Sequence, residues 1–157
     1  MKARRRKKVV TNNPAETVRW GMKLAAGLKG GDIICLVGDL GAGKTTLVKG
    51  IAKGLKIKET RVNSPTFVLL NTYEGRLPLY HFDLYRIDQP QDILDLGYEE
   101  FLFGSGVCVI EWADKLGALL PEDCLTIHMT APQENERSLQ ITASAQRSRQ
   151  VLKNIFS

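Results

Sequence analysis

The stretch "IICLVGDLGAGKTTLVKGI", residues 33–51, limits the fold more than any other part of the chain. Ile33 to Val37 is short, wholly apolar and β-branched, as expected of a strand buried on both faces of a parallel sheet. Glycines follow at 38, 41 and 43, and a helix is expected from about Lys44 to Leu55. Gly38, Gly43, Lys44 and Thr45 complete G-x-x-x-x-G-K-[ST] in the strand-to-helix setting where that pattern makes a phosphate-binding loop. Glycine tolerates positive φ and lets backbone N–H groups approach phosphate oxygens, and the helix start adds a positive dipole end. Asp39, Leu40, Gly41, Ala42, Gly43, Lys44, Thr45 and Thr46 are therefore the expected nucleotide-binding residues, Lys44 reaching the β- and γ-phosphates and Thr45 binding Mg²⁺. The structural alternative is a plain glycine-rich turn.

Such a loop needs an acid at the carboxyl end of a neighbouring strand, where ligands of open α/β sheets gather. "VCVIEW" supplies Glu111 there, the expected second metal-site and catalytic carboxylate. In "LYHFDLY" a strand would put Tyr80, Phe82 and Leu84 on a core face and His81, Asp83 and Tyr85 on the other. Asp83 could then orient a water or join the metal shell, or equally pair with Arg86 at the surface. His81 by itself reads as a hydrogen-bonded structural histidine. "NSPTF" places Ser64 and Thr66 in the connection after the loop helix, where a switch can sense the γ-phosphate, although an ordinary turn fits as well. No Asn-Lys-x-Asp run is present, which favours ATP over GTP.

The remaining pattern is layered α/β: a parallel core, an antiparallel strand pair and flanking helices in one domain over residues 11–157. Asn13, Pro14 and Glu16 start a helix reaching about Leu28. Strands are expected near 67–73, 79–85, 107–112, 124–130 and 139–143, with the first two paired across a turn at Glu74 to Pro78. Helices are expected over "QDILDLGYEEFLF" and "AQRSRQVLKNIF".

The net charge of +5 belongs to the start of the chain, because "MKARRRKK" holds six basic residues and the rest holds 16 against 17 acidic. Residues 1–10 are therefore expected to be a basic, disordered tail, with an arm for nucleic acid as the alternative. Cys35, Cys108 and Cys124 sit in apolar runs without C-x-x-C spacing and read as reduced core residues. No signal peptide or run of about 18 apolar residues occurs, so a cytoplasmic protein with no membrane attachment is expected.

"GDLGAGKTTLVKGIAKGL", "SPTF", "YHFDLYR", Leu96–Gly97, "VIEW" and Leu120–Pro121 occur in this order, and together they closely resemble the TsaE (YjeE) family. The resemblance implies a Mg²⁺-dependent ATPase of weak intrinsic activity. It would serve threonylcarbamoylation of adenosine 37 in tRNAs reading codons that begin with A, alongside the TsaD and TsaB complex, and meet tRNA through that complex. It further implies Lys44 and Thr45 on phosphate and Mg²⁺, Glu111 at the metal, Asp83 in hydrolysis, Ser64 and Thr66 as a nucleotide-sensing switch, and Trp112 beside the site. Thr11, Thr17 and Arg137 are candidates for the adenine side. A small-molecule kinase built on the same loop is the alternative enzyme.

Overall fold

The computed structural model describes residues 5–58, 62, 69–95 and 97–156. Seven strands form one sheet: β1 (Arg5–Thr11), β2 (Ile33–Val37), β3 (Leu70–Tyr73), β4 (Leu79–Asp83), β5 (Val107–Glu111), β6 (Leu125–Thr130) and β7 (Arg137–Ala143). Their order is β1-β7-β6-β2-β5-β4-β3. The central four, β6, β2, β5 and β4, run parallel, and β3 at one edge and β7 and β1 at the other run antiparallel to their neighbours. The expected parallel core and β3–β4 pair are present, and a second antiparallel edge is added.

β2 is buried along most of its length because its two faces feed two cores. Ile34 and Leu36 pack under α1 (Pro14–Ala26), α2 (Lys44–Gly54) and α5 (Gln146–Ile155). Ile33 and Cys35 face α3 (Pro90–Leu94), α4 (Tyr98–Leu102) and a 3-10 helix over Ala113–Leu119. Asn13 caps α1 as its spacing predicts: its Oδ1 accepts the Glu16 N–H at 2.9 Å, and Glu16 Oε2 returns a bond to the Asn12 N–H at 2.9 Å. α1 and α2 touch through glycine; a Cβ on Gly50 would stand 2.2 Å from the Val18 carbonyl oxygen. That close approach packs the loop helix tightly against α1.

Two expectations are corrected. The described part of the basic tail is not disordered, since Arg5–Val10 belongs to β1 and pairs residue by residue with β7. Backbone pairing holds it there while its first four side chains stay in water, and such charge blunts a sheet edge against further pairing. The expected helix over "QDILDLGYEEFLF" is two helices, α3 and α4, broken where Gly97 takes φ 70. That left-handed conformation cannot continue an α-helix. The three cysteines are buried and free, in agreement with their apolar settings. No helix among the described residues is long and apolar enough to cross a membrane.

Candidate nucleotide site

β2 ends between β5 and β6, where the chain's crossovers diverge to the two sides of the sheet, the place at which open α/β sheets bind ligands. Gly43 precedes α2 with φ 100, which aims the first N–H groups of the helix outward. A Cβ there would come within 3.3 Å of the Met129 methyl and 3.4 Å of Arg137 Nε. Over this loop opens a cavity of about 380 Å³ lined by Leu40, Gly41, Gly43, Lys44, Thr45, Thr46, Asp83, Glu111, Trp112 and Arg137, among others. Asp39 and Ala42 belong to the same loop and line the recess on its other flank.

Lys44 is only 5% exposed. Its ammonium donates to the carbonyls of Gly38 and Asp39, the latter at 2.9 Å, and lies 4.2 Å from the centroid of the Trp112 ring. Burial lowers its pKa, while the carboxylates of Glu111, Asp83, Asp114 and Asp39 act the other way without prevailing. The lysine is thus a desolvated cation held among carbonyls, an aromatic face and acids.

Glu111 closes the carboxyl end of β5 and is 2% exposed. Its Oε1 accepts a bond from the Thr45 hydroxyl at 3.2 Å, and its Oε2 lies 2.5 Å from His81 Nε2. The β4–β5 register sets Asp83 beside Glu111 and His81 beside Val109, so His81, Asp83 and Glu111 share the α2 face. Asp83 Oδ1 accepts the Tyr85 N–H at 3.0 Å, which fixes the turn leaving β4. Trp112 follows Glu111 with φ 59, an uncommon conformation for a bulky residue that concentrates at functional sites. Its ring lies 5.1 Å from that of Tyr85, whose carbonyl accepts from Lys115.

Most of the expected site is therefore assembled around one cavity: the loop residues, Asp83, Glu111 and Trp112. Ser64 and Thr66 lie outside the described residues. Sequence reasoning left two participants in lesser roles. His81 is joined to Glu111, which only the strand register reveals. Arg137 flanks the loop at Gly43, its Nη1 donating to the carbonyls of Glu134 and Glu136 at 3.0 and 2.9 Å. A small adjoining recess sets Thr17 with Thr46 and Arg137, while Thr11 is turned inward, its hydroxyl 2.7 Å from that of Thr17.

No group of three His, Cys, Asp or Glu side chains among the described residues could hold a metal. The Thr45 hydroxyl and Glu111 carboxylate nonetheless fit Mg²⁺, an oxygen-seeking ion that takes few protein ligands and completes its shell with phosphate and water. A larger cleft of about 540 Å³ lies at the opposite, amino end of the strands. Its walls are mainly apolar and its buried Asp32 is paired with Arg147 at 2.8 Å, so it offers no comparable setting for phosphate.

Comparison with known proteins identifies the family and the fold. Residues 11–139 match the family described as threonylcarbamoyl adenosine biosynthesis protein TsaE. The tRNA threonylcarbamoyladenosine biosynthesis protein TsaE of Treponema pallidum is 42% identical over 132 residues, covering 84% of this chain and 97% of the relative. The protein of the same description from Bacillus subtilis is 45% identical over 138 residues, covering 87% of this chain and 85% of the relative. The crystal structure of Bacillus subtilis YdiB superposes with a TM-score of 0.84 at 37% identity, covering 99% of this chain and 97% of that one. With the fold, the loop and the matched length in agreement, the chain belongs to the TsaE family.

Proposed function

We propose that this chain is the ATPase of tRNA threonylcarbamoyladenosine formation. It binds ATP with Mg²⁺, hydrolyses it slowly alone, and acts in the cytoplasm with the TsaD and TsaB complex, through which it meets tRNA. The product is threonylcarbamoylated adenosine 37 in tRNAs reading codons that begin with A. The observation that carries the reading is the Thr45–Glu111 hydrogen bond at 3.2 Å across the mouth of a glycine loop holding a buried lysine. The names of the relatives carry the biological half.

Each residue has a role that follows from its place. The N–H groups from Asp39 to Thr46 and the start of α2 hold the phosphates, and Lys44 leaves its loop carbonyls for phosphate oxygens. Thr45 and Glu111 hold Mg²⁺, which when bound offsets charge on the phosphate oxygens. Asp83, beside Glu111 in register, orients the attacking water. Trp112 covers the lysine's far side, and Ser64 and Thr66 serve as the segment that responds to the γ-phosphate. Arg137 and Thr17 border the adenine side of the loop. Bound ATP favours one assembly state with the partner complex and hydrolysis resets it, a balance set by differential contacts.

Phosphate release measured for the chain alone, and then with TsaD, TsaB and tRNA, tests this reading. Slow release alone that accelerates with the complex is expected. A rate unchanged by the complex, or phosphate passed to a metabolite in preference to water, would overturn it.

A further inference from the structure

His81 lies on β4 with none of its surface exposed. Its Nε2 is 2.5 Å from Glu111 Oε2, and its other ring nitrogen, Nδ1, has no hydrogen-bond partner among the described residues. A buried polar atom without a partner lowers stability, and an apolar ring of similar size would avoid that loss. Packing alone therefore does not account for an imidazole here. The carboxylate does: Glu111 presents Oε1 to Thr45 and the loop, and a donor on Oε2 fixes the rotation of the carboxylate.

We infer that His81 is a positioning residue for the metal site. Its Nε2–H donates to Glu111 Oε2 and holds the carboxylate with Oε1 turned toward Thr45. A donor behind a ligating group fixes that group's orientation, and loss of such a partner typically costs about 10- to 100-fold in metal affinity. The rigid parallel pairing of β4 and β5, which sets Asp83 opposite Glu111, keeps the imidazole and carboxylate at a constant spacing. His81 does not touch the nucleotide in this account; it acts through Glu111.

The inference rests on Glu111 being the metal-side carboxylate of the proposed function, and the experiment separates the two ideas. ADP binding is measured by calorimetry in EDTA and across a Mg²⁺ titration for the native chain, His81→Phe, His81→Gln and Glu111→Gln. Thermal melting checks that each is folded. His81→Phe keeps the ring volume without the donor and should need about 10- to 100-fold more Mg²⁺ for the same gain in ADP affinity, with affinity in EDTA unchanged. His81→Gln, which carries an N–H donor, should recover most of the Mg²⁺ dependence. Should His81→Phe fail to fold, His81→Leu is read in its place. A purely structural histidine would give lower melting temperatures with native Mg²⁺ dependence in both Phe and Gln variants, and that result overturns the inference. Native Mg²⁺ dependence in Glu111→Gln would overturn the assignment of Glu111 instead.

Discussion

Replacing Lys44 with methionine should separate nucleotide affinity from stability. Methionine preserves the apolar stem packed under the loop and removes only the ammonium, which lies among the Gly38 and Asp39 carbonyls and 4.2 Å from the Trp112 ring. The pKa of Lys44 is lowered, chiefly by burial and against the pull of four carboxylates, so its surroundings as a whole disfavour the charge relative to water. A group whose folded pKa lies below its unfolded value makes the folded chain bind fewer protons, so stability rises with pH between the two. For the native chain this window lies below the ordinary lysine value of 10.5, and Lys44→Met should lose that rise. At neutral pH the variant should therefore lose no more than about 1.5 kcal/mol of stability, the range of a volume-conserving core exchange. Affinity should respond very differently. A charged contact to phosphate contributes about 1.5–3 kcal/mol, or about 10- to 150-fold in Kd. Urea denaturation and calorimetric titration with Mg²⁺-ADP measure the two quantities. A stability loss of about 2–5 kcal/mol, typical of a core cavity, with unchanged ADP affinity would refute the reasoning.

Three further outcomes follow from the same structure. Gly50→Ala should lower stability by at least about 1 kcal/mol in thermal melts, because overpacking against the Val18 carbonyl outweighs the helix-propensity gain of alanine. Asp123 accepts the N–H groups of Arg147 and Ser148 at 2.9 Å each at the start of α5; desolvation raises its pKa, but these bonds, the Ser148 hydroxyl and the Arg149 charge together bring it below the ordinary value. A depressed acid stabilises above its unfolded pKa and loses that contribution as pH falls through the folded one, so Asp123→Ala should cost about 1–2 kcal/mol at pH 7 and much less in urea melts near pH 3. Nucleotide addition should change tryptophan emission as Lys44 leaves the Trp112 ring, and Trp112→Phe, which leaves Trp20, should abolish the change.

The parts of the molecule that declare themselves in sequence are those whose physics is local. The buried strand before the glycines, the N-cap at Asn13 and the Gly-Lys-Thr loop depend on neighbouring residues and appear where expected. β1 is hidden because its pairing is made by backbone atoms while Arg5 to Lys8 stay exposed, so no apolar alternation marks it. The break between α3 and α4 depends on the backbone of Gly97 and gives no warning in the apolar spacing of its flanks. At the site, Glu111 and Asp83 can be named as acids at strand ends, but their adjacency comes from the β4–β5 register. The same register brings His81 to Glu111 across 30 positions of chain, and no spacing rule in one sequence records that meeting.

The most direct test of the account is the amount of threonylcarbamoyladenosine formed at position 37 of tRNA in a reaction containing TsaD, TsaB and either the native chain or Asp83→Ala. Asp83→Ala should still bind Mg²⁺-ATP yet form far less product than the native chain. Product formed at the native level by Asp83→Ala, with its ATP hydrolysis abolished, would contradict the claim that this site drives the modification.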